Sequence, residues 1–170
     1  MNNFRYTASV PKTAELRSMD QPITTRIGIV EDDSRIREAL RKILSTAKDM
    51  TFEKDWANAE DALAGWMKSC PDVVIMDINL PGASGIDCVQ QLSLRFPATQ
   101  FLMYTMHDDD QRVFDALKAG ANGYLLKSAK PLEILTAIRD LLTGGSPMSA
   151  TIARRVVAQL RPTKPTEGLA

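Results

Sequence analysis

From Thr25 to Thr143 the sequence alternates short apolar runs with longer segments in which apolar residues recur at helical spacing. The clearest run is VVIM at 73–76, whose residues are all apolar, as in a strand covered on both faces. This pattern predicts five strands, at residues 25–30, 50–56, 73–76, 100–105 and 123–127. Because each crossover between parallel strands is right-handed and covers the sheet, five βα units predict a parallel sheet between two helix layers.

The predicted fold is α/β of the flavodoxin-like type, a doubly wound (βα)5 unit whose five-stranded parallel sheet has the order 2-1-3-4-5. The chain is too short for a two-half dinucleotide fold, and it lacks the G-x-G-x-x-G sequence. In doubly wound sheets the ligand binds at the carboxyl ends of the strands, beside the switch point between strands one and three. Functional residues are therefore expected at that edge.

The segments that flank the alternating region differ from it in composition. Residues 1–24 show no useful helical or strand period and contain two prolines, which predicts a flexible N-terminal extension. Residues 25–143 form the predicted domain. Residues 144–170 begin with two glycines and end in RPTKPTEGLA, which predicts a linker with a short helix from Ser149 to Leu160.

Composition excludes several classes of function. The 21 basic and 21 acidic side chains cancel, so the chain has no overall charge that would attract nucleic acid or a membrane. No apolar run approaches the roughly 20 residues that span a bilayer, and the amino end lacks the apolar core of a secretory signal. Cys70 and Cys88 have neither disulfide-framework nor metal-ligand spacing. A cytoplasmic protein with reduced thiols and no membrane partner is therefore expected.

Carboxylates directly follow the two predicted strands beside the switch point. Glu31 and Asp32 follow strand one, and Asp77 follows strand three. Three acids in one pocket repel each other, which raises their pKa values unless a cation lies among them. Oxygen ligands with room for water suit Mg²⁺, so the sequence predicts a magnesium site here.

The other two strands of this edge bring a hydroxyl group and an amine. Strand four ends with Thr105, and Lys127 stands at the end of strand five. The cluster has no histidine base, activated serine or cysteine, but a carboxylate can itself be a nucleophile, as in aspartyl-phosphate formation. Phosphoryl transfer requires mainly positioning and charge neutralisation. The sequence therefore predicts that Asp77 accepts a phosphoryl group, whose oxygens contact the metal, Lys127 and Thr105.

Four ordered motifs, IVEDD, VVIMDINLPGASG, YT and GYLLK, resemble those of bacterial two-component response-regulator receiver domains. The resemblance covers about residues 25 to 143. It implies that Glu31 and Asp32 are the acidic pair of this family and that Asp77 is its phosphoacceptor. The hydroxyl residue of the family is then Thr105, and its lysine is Lys127.

The resemblance also implies roles for residues that the strand ends alone do not single out. The main-chain carbonyl of Asn79 corresponds to a further protein ligand to Mg²⁺, and Glu31 acts through a metal-bound water. Tyr124 corresponds to the switch aromatic that rotates as Thr105 moves on activation. His107, two residues after Thr105, either tunes the access of the hydrolytic water or caps its loop.

The segments LPGASGID, GANGYLLK and GGSPMS are most similar to those of the NarL/FixJ (LuxR-type) branch. In that branch a helix-turn-helix domain follows the receiver, and the output is transcription. The resemblance implies phosphorylation by a sensor histidine kinase or phosphotransfer protein, a homodimer formed on phosphorylation, and DNA contact only through that further domain. The sequence ends where such a domain would begin, so it is expected to be a truncated chain or a stand-alone receiver.

Two alternatives remain beside the phosphorylated switch, which would catalyse only its own phosphorylation and dephosphorylation. A degenerate receiver could act as a protein-binding module, although the intact set of acids, hydroxyl and lysine argues against it. A haloacid-dehalogenase-type phosphatase also uses a strand-end Asp, a Thr and a Lys. That class normally has a second Asp two residues after the nucleophile, where this chain has Asn79, which cannot donate a titratable proton.

Overall fold

The computed structural model describes residues 23–162, so the predicted extension lies outside the described residues apart from its last two. The sheet within this range contains β1 (Thr25–Val30), β2 (Met50–Trp56), β3 (Val73–Met76), β4 (Gln100–Thr105) and β5 (Gly123–Leu126). The helices are α1 (Ser34–Ser45), α2 (Ala59–Gly65), α3 (Gly85–Arg95), α4 (Asp110–Ala119), α5 (Pro131–Leu142) and α6 (Ala150–Leu160). None of the helices described is long and apolar enough to cross a membrane.

The five strands form one sheet in the order β2-β1-β3-β4-β5, and every neighbouring pair is parallel. The prediction of a flavodoxin-like parallel sheet in this order is confirmed. The predicted strand bounds agree with the structure, except that β5 ends at Leu126, one residue before the predicted end. The chain therefore reverses its direction of winding between β1 and β3, where the ligand edge was predicted.

The core lies in two layers, one on each face of the sheet. Along β3, Val73 and Ile75 face the cluster that includes α1 and α5, whereas Val74 and Met76 face the cluster that includes α2, α3 and α4. All four side chains are buried. The alternation follows from the two-residue period of a strand, and burial on both faces explains the continuous apolar sequence.

Three helix boundaries have the capping contacts that their residue types favour. The side chain of Asn58 accepts a hydrogen bond from the third residue of α2, and Ser84 forms a reciprocal capping box at the start of α3. Gly120 ends α4 with a φ of 116°, the left-handed conformation that favours glycine. Asn58 and Ser84 fix where the loops from the carboxyl edge of the sheet enter α2 and α3, and Gly120 ends α4 at the opposite edge, before β5.

The predicted short helix after the domain is present as α6, and it packs against α4. Ile152 is fully buried in the same core cluster as Tyr124. Just before α6, the Tyr124 N–H donates to the Pro147 carbonyl at 2.9 Å, and the Ser149 N–H donates to the Tyr124 carbonyl at 3.1 Å. Residues 147–149 thus cover the otherwise open edge of β5.

Two methionines just beyond the ends of elements are exposed. Met67 follows α2, which ends at Gly65, and is 54% exposed. Met106 is 75% exposed, because it follows the last residue of β4 and lies in the loop. The apolar periodicity ends with the helix and the strand, so it does not predict the next residue.

Gly85 makes the close contact between α3 and β3 possible. A Cβ atom at this position would lie 1.8 Å from the main-chain carbonyl oxygen of Asp77. We expect Gly85→Ala to lower the free energy of unfolding by about 3 kcal/mol, because the backbone beside Asp77 must shift. Urea denaturation measures this loss. Gln91→Ala, at an exposed position of the same helix, should stay within about 0.5 kcal/mol of the wild type, and equal stability of the two variants would contradict the packing argument.

Candidate functional site

The parallel hydrogen-bond pattern continues one residue beyond three of the strands. The Glu31 N–H donates to the last carbonyl of β2 at 3.0 Å, the Asp77 N–H to that of β1 at 2.9 Å, and the Lys127 N–H to that of β4 at 2.9 Å. Each of these residues is therefore held by the sheet, although none belongs to a strand. Their side chains leave the sheet at the same edge.

The structure brings the three predicted carboxylates together. One oxygen from each of Glu31, Asp32 and Asp77 lies within 4.8 Å of the others. Glu31 and Asp77 are buried, with 1% and 4% of their surface exposed, whereas Asp32 faces solvent. The cluster therefore has two fixed buried acids and one acid at an open mouth.

Lys127 lies between the two buried acids. Its Nζ atom is 2.6 Å from Oε2 of Glu31 and donates a 2.8 Å hydrogen bond to Oδ2 of Asp77. Burial alone would disfavour the charged amine, but the hydrogen bonds to the two carboxylates outweigh it and raise the pKa of Lys127. The predicted strand-end lysine is thus a buried counter-ion, not a solvated surface residue.

Glu31 is the acid whose charge is least well compensated. Burial, together with the nearby charge of Asp77, raises the pKa of Glu31 to about 7, although its carboxylate contacts the Lys127 ammonium and accepts from the Asp33 N–H. One ammonium group is not enough to keep this carboxylate as acidic as in water. A further positive charge at the mouth of the cluster would stabilise its ionised form.

Asn79 lies beside this cluster, in the loop that follows β3. Its side chain is exposed, and its N–H donates a long 3.4 Å hydrogen bond to Oδ1 of Asp77. Its predicted role as a metal ligand involves the main-chain carbonyl and stays a prediction. The loop keeps Asn79 next to Asp77, which that role requires.

Thr105, His107 and Tyr124 form a second connected group. The Thr105 side chain is fully buried, and its hydroxyl oxygen accepts a 3.4 Å hydrogen bond from the His107 N–H. The Tyr124 hydroxyl donates to the His107 carbonyl at 2.7 Å, and Tyr124 is also fully buried. The aromatic ring therefore already lies inside, and its rotation on activation stays a prediction.

The His107 side chain turns toward α4. Its Nδ1 atom lies 2.8 Å from the guanidinium of Arg112. The backbone of His107 holds the two switch residues, while its ring contacts the helix that follows. Of the two predicted roles for His107, the geometry is closer to that of a loop cap; the tuning of water access stays a prediction.

Two residues that support the site were not singled out from the sequence. Arg37 on α1 donates to the main-chain carbonyls of Glu31 and Asp32, at 2.7 and 2.9 Å. Glu60 on α2 accepts a 2.8 Å hydrogen bond from the Ala83 N–H and so holds the loop after Asp77. Arg37 stands one helical turn after the α1 N-cap, which is a usable signal, whereas Glu60 contacts a loop 23 residues away and has no local signal.

Comparison with known proteins identifies the class. The sequence pattern of the response regulator receiver domain matches residues 27–139. The chain is 36% identical over 120 residues to the oxygen regulatory protein NreC of Staphylococcus haemolyticus, a match that covers 70% of this chain and 55% of that protein. It is also 27% identical over 149 residues to the nitrate/nitrite response regulator protein NarL of Escherichia coli, with 88% and 68% covered. The chain belongs to the response regulator receiver family.

A solved structure supports the narrower assignment that the motifs predicted. The crystal structure of a LuxR-family two-component response regulator from Aurantimonas sp. SI85-9A1 superposes with a TM-score of 0.75 and 32% identity, covering 80% of this chain and 97% of that one. With the NarL-type relatives, it places this chain in the LuxR-type branch. The chain spans between about half and two thirds of the length of the curated relatives it matches.

Replacement of Lys127 by Met should destabilise the protein in metal-free buffer. Removing one partner from a buried ion pair leaves an uncompensated charge, so we expect a loss of about 3 kcal/mol in the free energy of unfolding. The loss should be larger at about pH 8 than at about pH 5. An acid whose pKa is raised in the folded state lowers the free energy of unfolding as the pH rises above the unfolded pKa of that acid. Chemical denaturation at the two pH values measures both effects.

The matched control for this prediction is Lys68→Met, since Lys68 is exposed and lies between the end of α2 and the start of β3, at the edge of the sheet opposite the cluster. Its free energy of unfolding should agree with that of the wild-type protein within about 0.5 kcal/mol at both pH values. A Lys127→Met protein as stable as this control would show that the lysine is not needed to compensate the buried acids.

Proposed function

We propose that the chain is a phosphorylation-driven switch whose phosphoacceptor is Asp77. The observation that supports this most directly is the cluster in which Glu31, Asp32 and Lys127 surround the Asp77 carboxylate. This carboxylate is held by its own strand end and oriented by Lys127 and by the Asn79 N–H. A fixed nucleophile beside positive charge is what phosphoryl transfer requires.

The donor in this proposal is the phosphohistidine of a sensor histidine kinase or phosphotransfer protein. A carboxylate oxygen of Asp77 forms a bond to phosphorus while the P–N bond of the donor breaks, and the imidazole leaves with the bonding electron pair. Hydrolysis of the resulting acyl phosphate returns Asp77 and inorganic phosphate. The protein would act on no other substrate, so it is a switch and not an enzyme with turnover.

The residues of the cluster fit a magnesium ion. The proposed ligands are Asp32, Asp77 and the main-chain carbonyl of Asn79, with Glu31 acting through a water. All are oxygen donors, and the exposure of Asp32 leaves room for waters, as Mg²⁺ prefers. When bound, the ion would neutralise charge on the carboxylates and on the phosphoryl oxygens.

Lys127 and Thr105 would recognise the product of the transfer. Lys127 would exchange part of its contact with Asp77 for a phosphoryl oxygen. The Thr105 hydroxyl, now an acceptor for the His107 N–H, would turn to donate to another phosphoryl oxygen. Tyr124, whose hydroxyl donates to the His107 carbonyl, would move together with the His107 backbone. These charge-assisted bonds would shift the population toward the active conformation.

The output proposed for the full-length protein is the control of transcription. The relatives include proteins named as transcriptional regulatory proteins, and the branch is that of LuxR-family regulators. We propose that residues 25–143 form the phosphoacceptor domain and that residues 144–170 lead toward a LuxR-type DNA-binding domain. Phosphorylation would promote a homodimer, and DNA would be contacted through that further domain. Because the phosphate of the donor kinase comes from ATP, the protein would act in the cytoplasm.

Acetyl phosphate with Mg²⁺ should add one phosphoryl group to the wild-type chain, and Asp77→Asn should abolish this addition, because the amide is not a nucleophile toward phosphorus. Intact-mass spectrometry measures the labelled fraction. Asp140→Asn, at an exposed position near the end of α5, is the matched control and should label as the wild type does.

Labelling of Asp77→Asn at the wild-type level would end the assignment of the phosphoacceptor. Absence of labelling in the wild type would favour a protein-binding module. Sustained release of phosphate from a simple phosphate ester, abolished by Asp77→Asn, would favour a phosphatase of the haloacid-dehalogenase type instead.

Labelling should also depend on the metal and on Asp32. Excess EDTA should abolish it, and Asp32→Asn should raise the Mg²⁺ concentration that gives half-maximal labelling by at least about tenfold, because a charged ligand is lost. Glu38→Gln removes a charge from an exposed position on α1 and should leave this concentration unchanged. Equal magnesium dependence of the two variants would remove Asp32 from the metal site.

A further inference from the structure

The α4 surface is already occupied by a segment of the same chain. Helix α6 packs against α4, with Ile152 fully buried and Val156 half-buried against the core cluster. At its start, α6 is fixed to β5 through Pro147 and Ser149, and the Ser149 hydroxyl also accepts a 3.1 Å hydrogen bond from the Leu126 N–H. This end of α6 is anchored to the sheet.

The middle of α6 is bound to the loop between β4 and α4 and to the first residue of α4. The Arg155 guanidinium lies 3.0 Å from a carboxylate oxygen of Asp110 and 3.3 Å from one of Asp108. Gln159, one turn further on, donates to the other oxygen of Asp110 at 3.3 Å. Residues 106–110 are therefore tied to α6 by side chains that are 45 to 49 positions away in the sequence.

The same loop is bound to the switch residues on its inner side. Between Met106 and Asp108, the backbone of His107 donates to Thr105 and accepts from Tyr124. The Thr105 hydroxyl oxygen accepts from the His107 N–H while its O–H can donate to a phosphoryl group on Asp77, so a movement of Thr105 toward that group acts on the His107 backbone. Any displacement of His107 is passed to Asp108 within one residue. The path from the proposed phosphoryl site to α6 thus runs through residues 105–108 and then to Arg155.

We infer that α6 is an intramolecular latch that phosphorylation opens. The inference rests on the proposed phosphorylation of Asp77. Movement of Thr105 toward the phosphoryl group displaces the backbone of His107 and pulls Asp108 and Asp110 away from Arg155. Residues 153–160, which make up most of α6, then leave α4, while the anchor at residues 147–149 stays in place. The released segment is the signal that the receiver passes on.

The strength of the contacts suits this role. The Arg155 side chain is 36% exposed, and those of Asp108 and Asp110 are 52% and 45% exposed. Ion pairs at this exposure contribute little stability, so a small movement of the loop is enough to break them. Ile152, by contrast, is buried beside the anchor, which keeps the helix attached. The firm contact thus lies at the start of α6, whereas the rest of the helix is held by weak ion pairs and by the half-buried Val156, as in a hinged latch.

Reciprocity makes the inference testable from both sides. If phosphorylation weakens the contact between Arg155 and the loop, loss of that contact must favour binding at the phosphoryl site by the same factor. Beryllium trifluoride with Mg²⁺, a stable mimic of the phosphoryl group, serves as the equilibrium ligand. Arg155→Gln removes the ion pairs from α6, and Asp108→Asn weakens them from the loop without changing α6.

The experiment combines amide hydrogen exchange with calorimetric titration. In the wild type, beryllium trifluoride should speed exchange in residues 153–160 by about two- to fivefold, the range that weak ion pairs allow. Arg155→Gln and Asp108→Asn should show this faster exchange without the ligand and should bind it about two- to fivefold more tightly. Arg154→Gln is the matched control, since Arg154 is exposed and forms no ion pair within residues 23–162. It should exchange and bind as the wild type does.

Unchanged or slower exchange in residues 153–160 on ligand binding would overturn the latch while leaving the phosphoacceptor proposal intact. Wild-type affinity in both Arg155→Gln and Asp108→Asn would overturn it as well. A wild-type chain that neither binds beryllium trifluoride nor accepts phosphate would overturn both proposals together. Circular dichroism of each variant verifies that faster exchange does not come from global unfolding.

Discussion

Lys127 places one positive charge between two buried negative charges, at 2.6 Å from Glu31 and 2.8 Å from Asp77. The three residues follow β5, β1 and β3, so the lysine side chain passes the end of β4, where Thr105 lies. Loss of the lysine would leave both acids buried without their shared partner, which is costly. This constraint explains why the strand ends are so closely aligned: the parallel pairing must continue past each strand to hold the charges in place.

The same arrangement leaves the site short of positive charge. One lysine faces three carboxylates, and the pKa of Glu31, raised by burial to about 7, shows that the compensation is incomplete. A divalent cation at the mouth would complete it, and a phosphoryl group on Asp77 would then bind to both cation and lysine. A switch of this kind needs only a modest bias, since about 2 to 3 kcal/mol of differential binding changes the active fraction roughly a hundredfold.

The parts of the structure that follow from local pattern were predictable from the sequence. The strands were predicted from apolar runs. Asp77 and Lys127 were predicted as site residues because they stand at the ends of such runs, and parallel strands all end at the same edge of the sheet. The docking of α6 was not predictable. The carboxylate partners of Arg155 stand 45 and 47 positions earlier, and no helical or strand periodicity indicates such a pair. The burial of Tyr124 likewise depends on residues 147–149 and on His107.

Edge strand β5 joins the interior of the domain to its surface. Tyr124 pairs with β4 on one side and with residues 147–149 on the other, and its hydroxyl reaches the loop before α4. Buried contacts on the inner side of that loop are strong and have few alternatives, whereas the partly exposed pairs of Arg155 are weak. A change that begins at the buried acids must therefore appear first where the contacts are weakest. In this chain that place is the contact between α6 and the loop, and the anchor at residues 147–149 fixes the point about which α6 can turn.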